Sequence, residues 1–487
     1  MGHVALGLTK KLEVRAARFD RCRAHGRRLT RYTADMRPIS KLRFNSLAGF
    51  ARQPQTTLYA EELGWFEHAN ERSLGVLIRD RTDGDYAGIV LARDELLQYR
   101  WTTMTEFEPS LRWAKARLRP ALERAAMAPD EEHHKGHHRP APVDFFTPVV
   151  PLERLYPDFR GLVEQEGFSP ARGIIEPMMR WHEDVDGNFV EQFQTTAFDA
   201  RLWELYLFAS LIELGFSIDR TKPVPDFVAS SLRGQIAIEA VTVNPTKDNA
   251  GAVVVPPALD TDEDRLAYLR NYMPIKFGSA LYSKLVKEYW AREHVRGLPF
   301  ALAVQDFSAR GSMIFTRSAL QVYLYGYEHD WTRDDAGQLV VTPRRILTHT
   351  WGTKEIPSGF FLLPGAENVS AVLFSNSGTI SKFNRMGLLA GFGSGRVQMI
   401  REGYAYDPNP NAADPRPFRH VVGAPENQEA WIEGLDVYHN PRAAIPLHSS
   451  LLPGAAHVRL RDDGQIIAVT PDWHPLGSIT LIGTREQ

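Results

Sequence analysis

Three acidic residues, Glu204, Asp226 and Glu239, occupy positions in this sequence where a carboxylate is costly. Glu204 lies inside LWELYLFASLI, which is apolar on nearly every face if it forms a helix. Asp226 begins one apolar segment, PDFVAS, and Glu239 lies within the next, QIAIEAVTV. Buried carboxylates without partners are strongly destabilising. A hard divalent cation prefers such oxygen ligands, and a metal held by carboxylates can support hydrolysis.

The turn between the two apolar segments decides whether two of these acids meet. SLRG at 231–234 suits a two-residue turn, for which two registers are open. Asp226 then stands opposite either Glu239 or Val241, and in both registers it shares a sheet face with Glu239. Carboxylates side by side among apolar residues repel unless a cation or a shared proton lies between them. The hairpin therefore favours a cation site.

The surrounding segments predict a helix, three strands, a second helix and a strand, in that order. Gly215 is a stop signal for the first helix. A further apolar segment, NVSAVLFSNS, is predicted to be a buried strand that extends the same sheet. The predicted bounds are a helix from 197 to Gly215, strands at 216–219, 225–230 and 235–243, a helix at 264–295, and strands at 299–307 and 368–377.

These acids and this element order resemble the PD-(D/E)XK, or restriction-endonuclease-like, nuclease superfamily. Its core runs α-β-β-β-α-β, with an acid on the first helix, an Asp after Pro in one strand and E-x-K in the next. The resemblance covers residues 197–307 and matches Glu204, Pro225-Asp226 and Glu239 in IEAVT. It implies a nuclease in restriction, defence or repair, in which Asp226 and Glu239, with Glu204, hold one or two Mg²⁺ ions. Mn²⁺ is the expected substitute.

The sequence departs from the superfamily at the motif lysine. Two residues after Glu239 stands Val241, which cannot polarise a phosphate or orient a water. Some members supply this lysine from the following helix, and here PIKFGSALYSKLVKEYW offers Lys276, Lys284 and Lys287. Lys284 is the first choice for a catalytic lysine because its helical neighbours suggest a partly buried face, and Lys276 is the second.

Three other accounts of these residues remain open. In the first, Glu204 pairs with Arg201, one helical turn earlier, and Asp226 lies at an exposed strand end. In the second, no lysine reaches the carboxylates, and the chain is a catalytically inactive nucleic-acid-binding or scaffolding protein of the same fold. The third is an unrelated α/β enzyme or scaffold.

The charge distribution bears on the partner. The chain of 487 residues has a formal net charge of -2. Residues 1–52 hold thirteen Lys and Arg but only three Asp and Glu, so this arm carries +10 and residues 53–487 carry -12. A segment this basic can neutralise phosphates by counterion release. Nucleic acid is therefore the expected partner, DNA before RNA by analogy with the superfamily, and the alternatives are an acidic protein face and plain solvation.

Other features narrow the class of protein. The one cysteine, Cys22, allows no internal disulfide and no cysteine-built zinc site. Neither a run of about eighteen apolar residues nor a signal peptide is present, so we expect a cytoplasmic protein without a membrane partner. The serine-hydrolase pattern G-x-S-x-G and the P-loop pattern are both absent. Double-strand cleavage by one site per chain would favour a homodimer.

The expected fold class is α/β (α+β), with a restriction-endonuclease-like core whose mixed central sheet is flanked by helices. In the strand-rich extension, four polar residues are further candidates for substrate contacts: Asn376, Lys382, Asn384 and Arg385. The predicted domains are a basic α+β module at 1–128, a Pro/His-rich linker at 129–150, the nuclease core at 151–310, and a C-terminal extension packed on it at 311–487.

Overall fold

The structure, a computed structural model, describes residues 36–129, 142–181, 188–425 and 428–485. The chain forms two compact units, residues 1–144 and 145–487. The boundary between them falls inside the predicted linker, whose residues 130–141 lie outside the described residues. Residues 1–35, which carry most of the predicted basic arm, also lie outside them.

The first unit contains an antiparallel five-stranded sheet in the order β1-β2-β3-β4-β5. Helix α3 packs on β3 and β4, where glycines allow close contact: a Cβ at Gly88 would lie 2.9 Å from Leu118 Cδ1. The unit therefore combines helix and sheet. Its elements are β1 (Arg37–Ile39), α1 (Lys41–Ala48), α2 (Thr56–Tyr59), β2 (Ala60–His68), β3 (Ser73–Asp80), β4 (Tyr86–Arg93), β5 (Tyr99–Met104) and α3 (Leu111–Met127).

The arginines in the described part of the basic arm form ion pairs within this unit. Three of its arginines contact glutamates of β2 and of the turn that follows it. An acidic face of the same protein, one of the alternatives for the arm, thus partners these arginines. The pairs are Arg37 with Glu67, Arg43 with Glu67 and Glu71, and Arg52 with Glu62.

The second unit contains an eight-stranded mixed sheet in the order β19-β18-β17-β14-β9-β8-β7-β6. Its strands β8, β9 and β14 are parallel, whereas β7 is antiparallel to β8 and β17 to β14. The strands of the unit are β6 (Ser217–Ile218), β7 (Phe227–Ser231), β8 (Gly234–Val243), β9 (Phe300–Asp306), β10 (Tyr327–Arg333), β11 (Leu339–Arg345), β12 (Thr348–Trp351), β13 (Lys354–Pro357), β14 (Ala371–Phe374), β15 (Val397–Ala405), β16 (Arg416–Val421), β17 (Asp436–His439), β18 (Ala456–Leu460), β19 (Ile466–Val469) and β20 (Pro475–Thr484).

Helices pack against this sheet. Helix α7 contacts β9 through Trp203, whose indole N–H donates to the Ala303 carbonyl at 2.9 Å. Helix α9 shares a buried apolar cluster with the sheet, in which Phe277 and Leu281 join Val241 of β8. The helices of the unit are α4 (Pro157–Glu164), α5 (Ser169–Met179), α6 (Phe189–Gln194), α7 (Phe198–Glu213), α8 (Asp262–Ala267), α9 (Met273–Leu285), α10 (Arg317–Tyr325) and α11 (Ile380–Leu389).

The predicted helix-three strands-helix-strand order is present as α7, β6 to β8, α8 with α9, and β9. The second helix differs from its prediction. It begins as α8, passes through a π-helical turn at Tyr268–Tyr272, and ends with α9 ten residues earlier than expected. Glu288 adopts a left-handed conformation (φ 50°) just beyond that end, a common way for a helix to stop.

The strands beyond residue 310 complete the same sheet. The strand predicted at 368–377 is β14, and it extends the sheet as expected; the structure shows that it does so by pairing in parallel with β9. Smaller sheets accompany it: β15 pairs with β16 and β20, and β10–β11 and β12–β13 form hairpins. The α+β fold class is therefore confirmed. Among the described residues, no helix combines the length and apolar character needed to cross a membrane.

Candidate functional site

The β7–β8 hairpin brings two of the predicted acids together. Its turn consists of residues 232–233, and the strand register, continued by one residue, sets Asp226 opposite Glu239. The Asp226 N–H donates to Glu239 Oε2 at 3.3 Å, and the Ala240 N–H donates to Asp226 Oδ2 at 2.7 Å. Of the two open registers, the structure adopts the one that makes these carboxylates direct neighbours.

Helix α9 supplies a cation to this pair. Lys284 Nζ donates to Glu239 Oε1 at 2.5 Å, with the lysine side chain 25% exposed and the glutamate 4%. Burial lowers the pKa of Lys284, but the hydrogen bond and the charge of Glu239 outweigh it and raise the pKa above its usual value. The ammonium therefore stays charged. Lys284 reaches Glu239 from α9. The side chain at the position of the motif lysine, Val241, is buried in the apolar core.

The second lysine candidate lies elsewhere. Lys276 Nζ donates to the Asn244 carbonyl at 2.6 Å and to Thr246 Oγ1 at 2.9 Å, in the loop that follows β8. It stands eight residues before Lys284 on the same helix, about 12 Å along the helix axis. The structure therefore places Lys284 at the carboxylates and Lys276 in a separate group of contacts.

Glu204 on α7 pairs with Arg201, as the first of the alternative accounts expected. Arg201 Nη1 lies 2.7 Å from Glu204 Oε2, and the side chains are 24% and 13% exposed. Burial first, and then the charge of Asp226, raises the pKa of Glu204 to about 7 against the opposing charge of Arg201. Glu204 is thus both paired with Arg201 and within electrostatic reach of Asp226.

In addition to burial, the charge of Asp226 raises the pKa of both glutamates. Burial, followed by the charge of Asp226, raises the pKa of Glu239 to about 7, although Lys284 opposes this. The Asp226 residue keeps an exposed surface, yet enough protein surrounds its carboxylate that desolvation raises its pKa as well. When all three carboxylates are ionised they face two neighbouring cations, Arg201 and Lys284, so one negative charge is left over.

The site fits a divalent cation in the type of its donor atoms. Its oxygen donors are carboxylates of the kind that Mg²⁺ binds, and a cation would remove the repulsion that raises their pKa. Within the described ranges no three His, Cys, Asp or Glu side chains already form a metal-ligand group. The side chains of Glu204 and Glu239 would therefore have to leave their present cationic partners in part.

The polar candidates in the C-terminal extension bond within the protein. Lys382, Asn384 and Arg385 are at most 3% exposed, so their prediction as substrate contacts is wrong. The two cations contact Glu429, and the Asn384 amide bonds to α5 and the turn before it. The Asn376 amide donates to the Leu476 carbonyl at 2.6 Å.

Two neighbours of the site were not predicted to take part in its chemistry. His294 Nε2 lies 2.7 Å from the Val224 carbonyl, two residues before Asp226. Tyr289 is among the groups that raise the pKa of Lys284. Both residues belong to the irregular segment after α9, where the sequence predicted continuous helix, so no periodic signal could place them.

No protein-family model, no curated protein and no solved structure matches this chain. The geometry and electrostatics of the site therefore carry what can be inferred about function. The site joins an acidic hairpin, a lysine from the next helix and a partly neutralised glutamate from the preceding one.

Proposed function

We propose that this protein is a metal-dependent nuclease of the PD-(D/E)XK type that hydrolyses phosphodiester bonds, with DNA as its substrate. The observation that carries the proposal is the placement of Asp226 and Glu239 opposite each other on one hairpin, with Lys284 of the following helix on Glu239. The α-β-β-β-α-β order of the surrounding elements supports the same assignment.

Asp226 and Glu239, with Glu204, would hold one or two Mg²⁺ ions, for which Mn²⁺ could substitute. Such an ion, when bound, lowers the pKa of a coordinated water and stabilises negative charge on the phosphoryl oxygens. Asp226 is the exposed member of the set and therefore the one that a substrate phosphate approaches. The charged ammonium of Lys284 donates to a phosphate oxygen or orients the attacking water.

A second function, nucleic-acid binding without catalysis, has observations in its favour. The motif position after Glu239 holds Val241, and two of the three carboxylates already have cationic partners, Arg201 and Lys284. A protein that kept the fold but lost cleavage would look the same at these positions. Only an activity measurement separates the two functions.

The test is cleavage of plasmid, single-stranded DNA and RNA by the purified protein with Mg²⁺, Mn²⁺ or EDTA. Wild type is compared with Asp226→Asn and Glu239→Gln, and with Glu263→Gln, an exposed acid of α8, as control. We expect metal-dependent cleavage by wild type and control, and its loss in both site variants. Cleavage that persists in both contradicts the site, and metal-independent binding without cleavage by wild type supports the inactive binder.

A cytoplasmic location and a homodimer belong to the same proposal. One site of this kind acts on one strand, so cutting both strands of a duplex requires two copies. Light scattering with and without duplex DNA tests this, and a protein that stays monomeric while cutting both strands at once contradicts the dimer.

A further inference from the structure

A groove of about 490 Å³ opens at the C-terminal end of β8, beside the start of α9. The β12–β13 hairpin forms its other wall. The hairpin can lie against α9 because the helix has Gly278 at the contact, where a Cβ would stand 2.6 Å from Ile356 Cδ1. This close approach brings Trp351 and Lys354 of the hairpin to the same groove as Lys276.

Two lysines line the groove, and among the described residues neither forms an ion pair with an acid, although the charge of Asp306 acts on Lys276. Lys276 bonds to the loop after β8, and Lys354 Nζ donates to Ser279 Oγ at 2.7 Å. Burial, together with the charge of Lys354, lowers the pKa of Lys276 against the opposing charge of Asp306. Two positive charges that disfavour each other are stabilised by an anion placed between them.

An aromatic surface lies beside the lysines. Trp351 is 37% exposed and lines the groove, and its ring packs edge-on against Tyr272 with centroids 5.4 Å apart. Exposed aromatic rings next to cations are the usual platform on which proteins stack unpaired bases. The combination suits a ligand that carries both phosphates and planar bases.

The groove and the carboxylate site share two elements, β8 and α9. Strand β8 carries Glu239 and runs directly to the groove, and α9 carries Lys284 at one end and Lys276 at the other. The separation of about 12 Å between these lysines along the axis corresponds to at most about four nucleotides, since even a fully stacked strand advances roughly 3.4 Å per nucleotide. A strand crossing the carboxylates thus reaches the groove within a few nucleotides.

We propose that this groove binds a single-stranded segment of nucleic acid that flanks the bond to be cleaved. Lys276 and Lys354 contact backbone phosphates, and one base stacks on Trp351. The inference rests on the proposed nuclease function for the path of the strand, whereas the binding itself can be measured without cleavage.

The test is fluorescence anisotropy in EDTA with a labelled oligothymidine of about 20 nucleotides, longer than typical site sizes, and with a duplex of equal length. We expect Trp351→Ala to weaken single-strand binding about five- to hundredfold, and Trp351→Phe to weaken it far less. The double variant Lys276→Ala/Lys354→Ala should reduce the slope of log affinity against log salt by about 1.4.

The matched control is Arg442→Ala/Arg461→Ala. These two exposed arginines follow β17 and β18, whose ends lie at the opposite edge of the sheet from the groove. The control removes the same charge and should leave the salt slope unchanged. Thermal unfolding checks that each variant folds. Trp351→Leu, which keeps apolar bulk but removes the ring, or Lys276→Gln replaces a variant that does not.

Each outcome decides something. Affinities and slopes that equal wild type in the groove variants overturn the groove, as does an equal slope change in the arginine control. Duplex binding with the same dependence on Trp351 overturns the single-strand assignment, and absence of binding to either oligonucleotide overturns the whole proposal. Groove-dependent binding by a protein that cleaves nothing supports the groove and overturns the nuclease. Cleavage and single-strand binding that are both unchanged in the groove variants support the nuclease and overturn the groove.

Discussion

Two groups of charged side chains lie inside the second unit and are balanced differently. The first, the carboxylate site, has more acids than cations. The second, the charged cluster, joins α11 and β15 to the segment before β17. The carboxylate site consists of Glu204, Asp226, Glu239, Arg201 and Lys284, and the charged cluster of Lys382, Arg385, Arg401, Glu429 and Glu433.

In the charged cluster, each acid has strong partners. The guanidinium of Arg385 donates a hydrogen bond of 2.8 Å to each carboxylate oxygen of Glu429, and Lys382 Nζ donates to the same carboxylate at 2.7 Å. Burial would raise the pKa of Glu429, but Arg385, Lys382 and Arg401 outweigh it and hold that pKa well below its usual value. The main acid of this cluster is therefore held ionised by cations of the protein itself.

In the carboxylate site, the pKa values move the other way, because burial and mutual repulsion exceed what Arg201 and Lys284 compensate. The contrast separates an ion network whose main acid is held ionised by its cations from a site whose glutamates are only partly neutralised by theirs. Near neutral pH Glu429 of the charged cluster is ionised, whereas Glu204 and Glu239 are close to their pKa of about 7.

The largest effect is expected in the charged cluster. Glu429→Gln leaves three buried cations without their main counter-charge and should lower the free energy of unfolding by about 3–5 kcal/mol. Urea denaturation near neutral pH measures it. The control is Glu402→Gln, which removes an exposed pair with Arg419 and should cost at most about 1 kcal/mol. Equal losses in the two variants would show that the cluster is not the stabilising network described here.

The next effect concerns turnover. Lys284→Ala removes the cation beside Glu239 and should lower kcat for DNA cleavage about a hundredfold, the typical cost of losing one group that stabilises transition-state charge. Lys276→Ala, on the same helix but away from the carboxylates, should change KM more than kcat. Steady-state cleavage kinetics provide both constants. A fall in kcat that is as large for Lys276→Ala as for Lys284→Ala would refute the assignment of Lys284.

A smaller effect is expected from Mg²⁺ on stability. At about a hundredfold excess over its dissociation constant, an ion that binds only the folded state adds about 2.7 kcal/mol. The gain should be larger near pH 8 than near pH 6, since Glu204 and Glu239, with pKa values of about 7, must lose protons to bind it. Denaturation with Mg²⁺ or EDTA measures it. Asp226→Asn should abolish the gain, and an equal gain at both pH values would contradict the site.

The smallest effect is the pH dependence of stability without metal. A carboxyl whose pKa rises from 4.5 to about 7 on folding makes the folded protein bind more protons in that window. Stability therefore falls as pH rises through it. Asp226→Asn should reduce the fall between about pH 5 and pH 8 by about 1 kcal/mol, since solvent screens the exposed Asp226. Urea denaturation in EDTA tests this, and an unchanged fall would rule out the repulsion.

The acidic hairpin could be predicted because its geometry is local. Strand alternation and a two-residue turn fix the parity of Asp226 and Glu239 whatever surrounds them. The choice of Lys284 followed from helical periodicity, and the structure brings it to Glu239. The fit of α7 against β9 did not follow from such rules, because Trp203 and Ala303 are far apart in sequence.

The charged cluster could not be predicted for the same reason. Lys382 and Arg385 looked like surface cations because their counter-charge, Glu429, comes from a separate segment that no local pattern connects to α11. The early end of α9 escaped prediction as well. It depends on the left-handed conformation of Glu288, a residue type that is compatible with helix by propensity.

The position of β9 in the large sheet has a practical consequence for dissecting the chain. Strand β9 is buried along its whole length and pairs with β8 on one side and β14 on the other. A fragment cut at the predicted division after residue 310 would retain β8 but lose β14, exposing the edge of β9 at its apolar residues 301–304 to other chains. Such edges nucleate aggregation, so the fragment carrying every proposed metal ligand should be the one that is hardest to keep in solution.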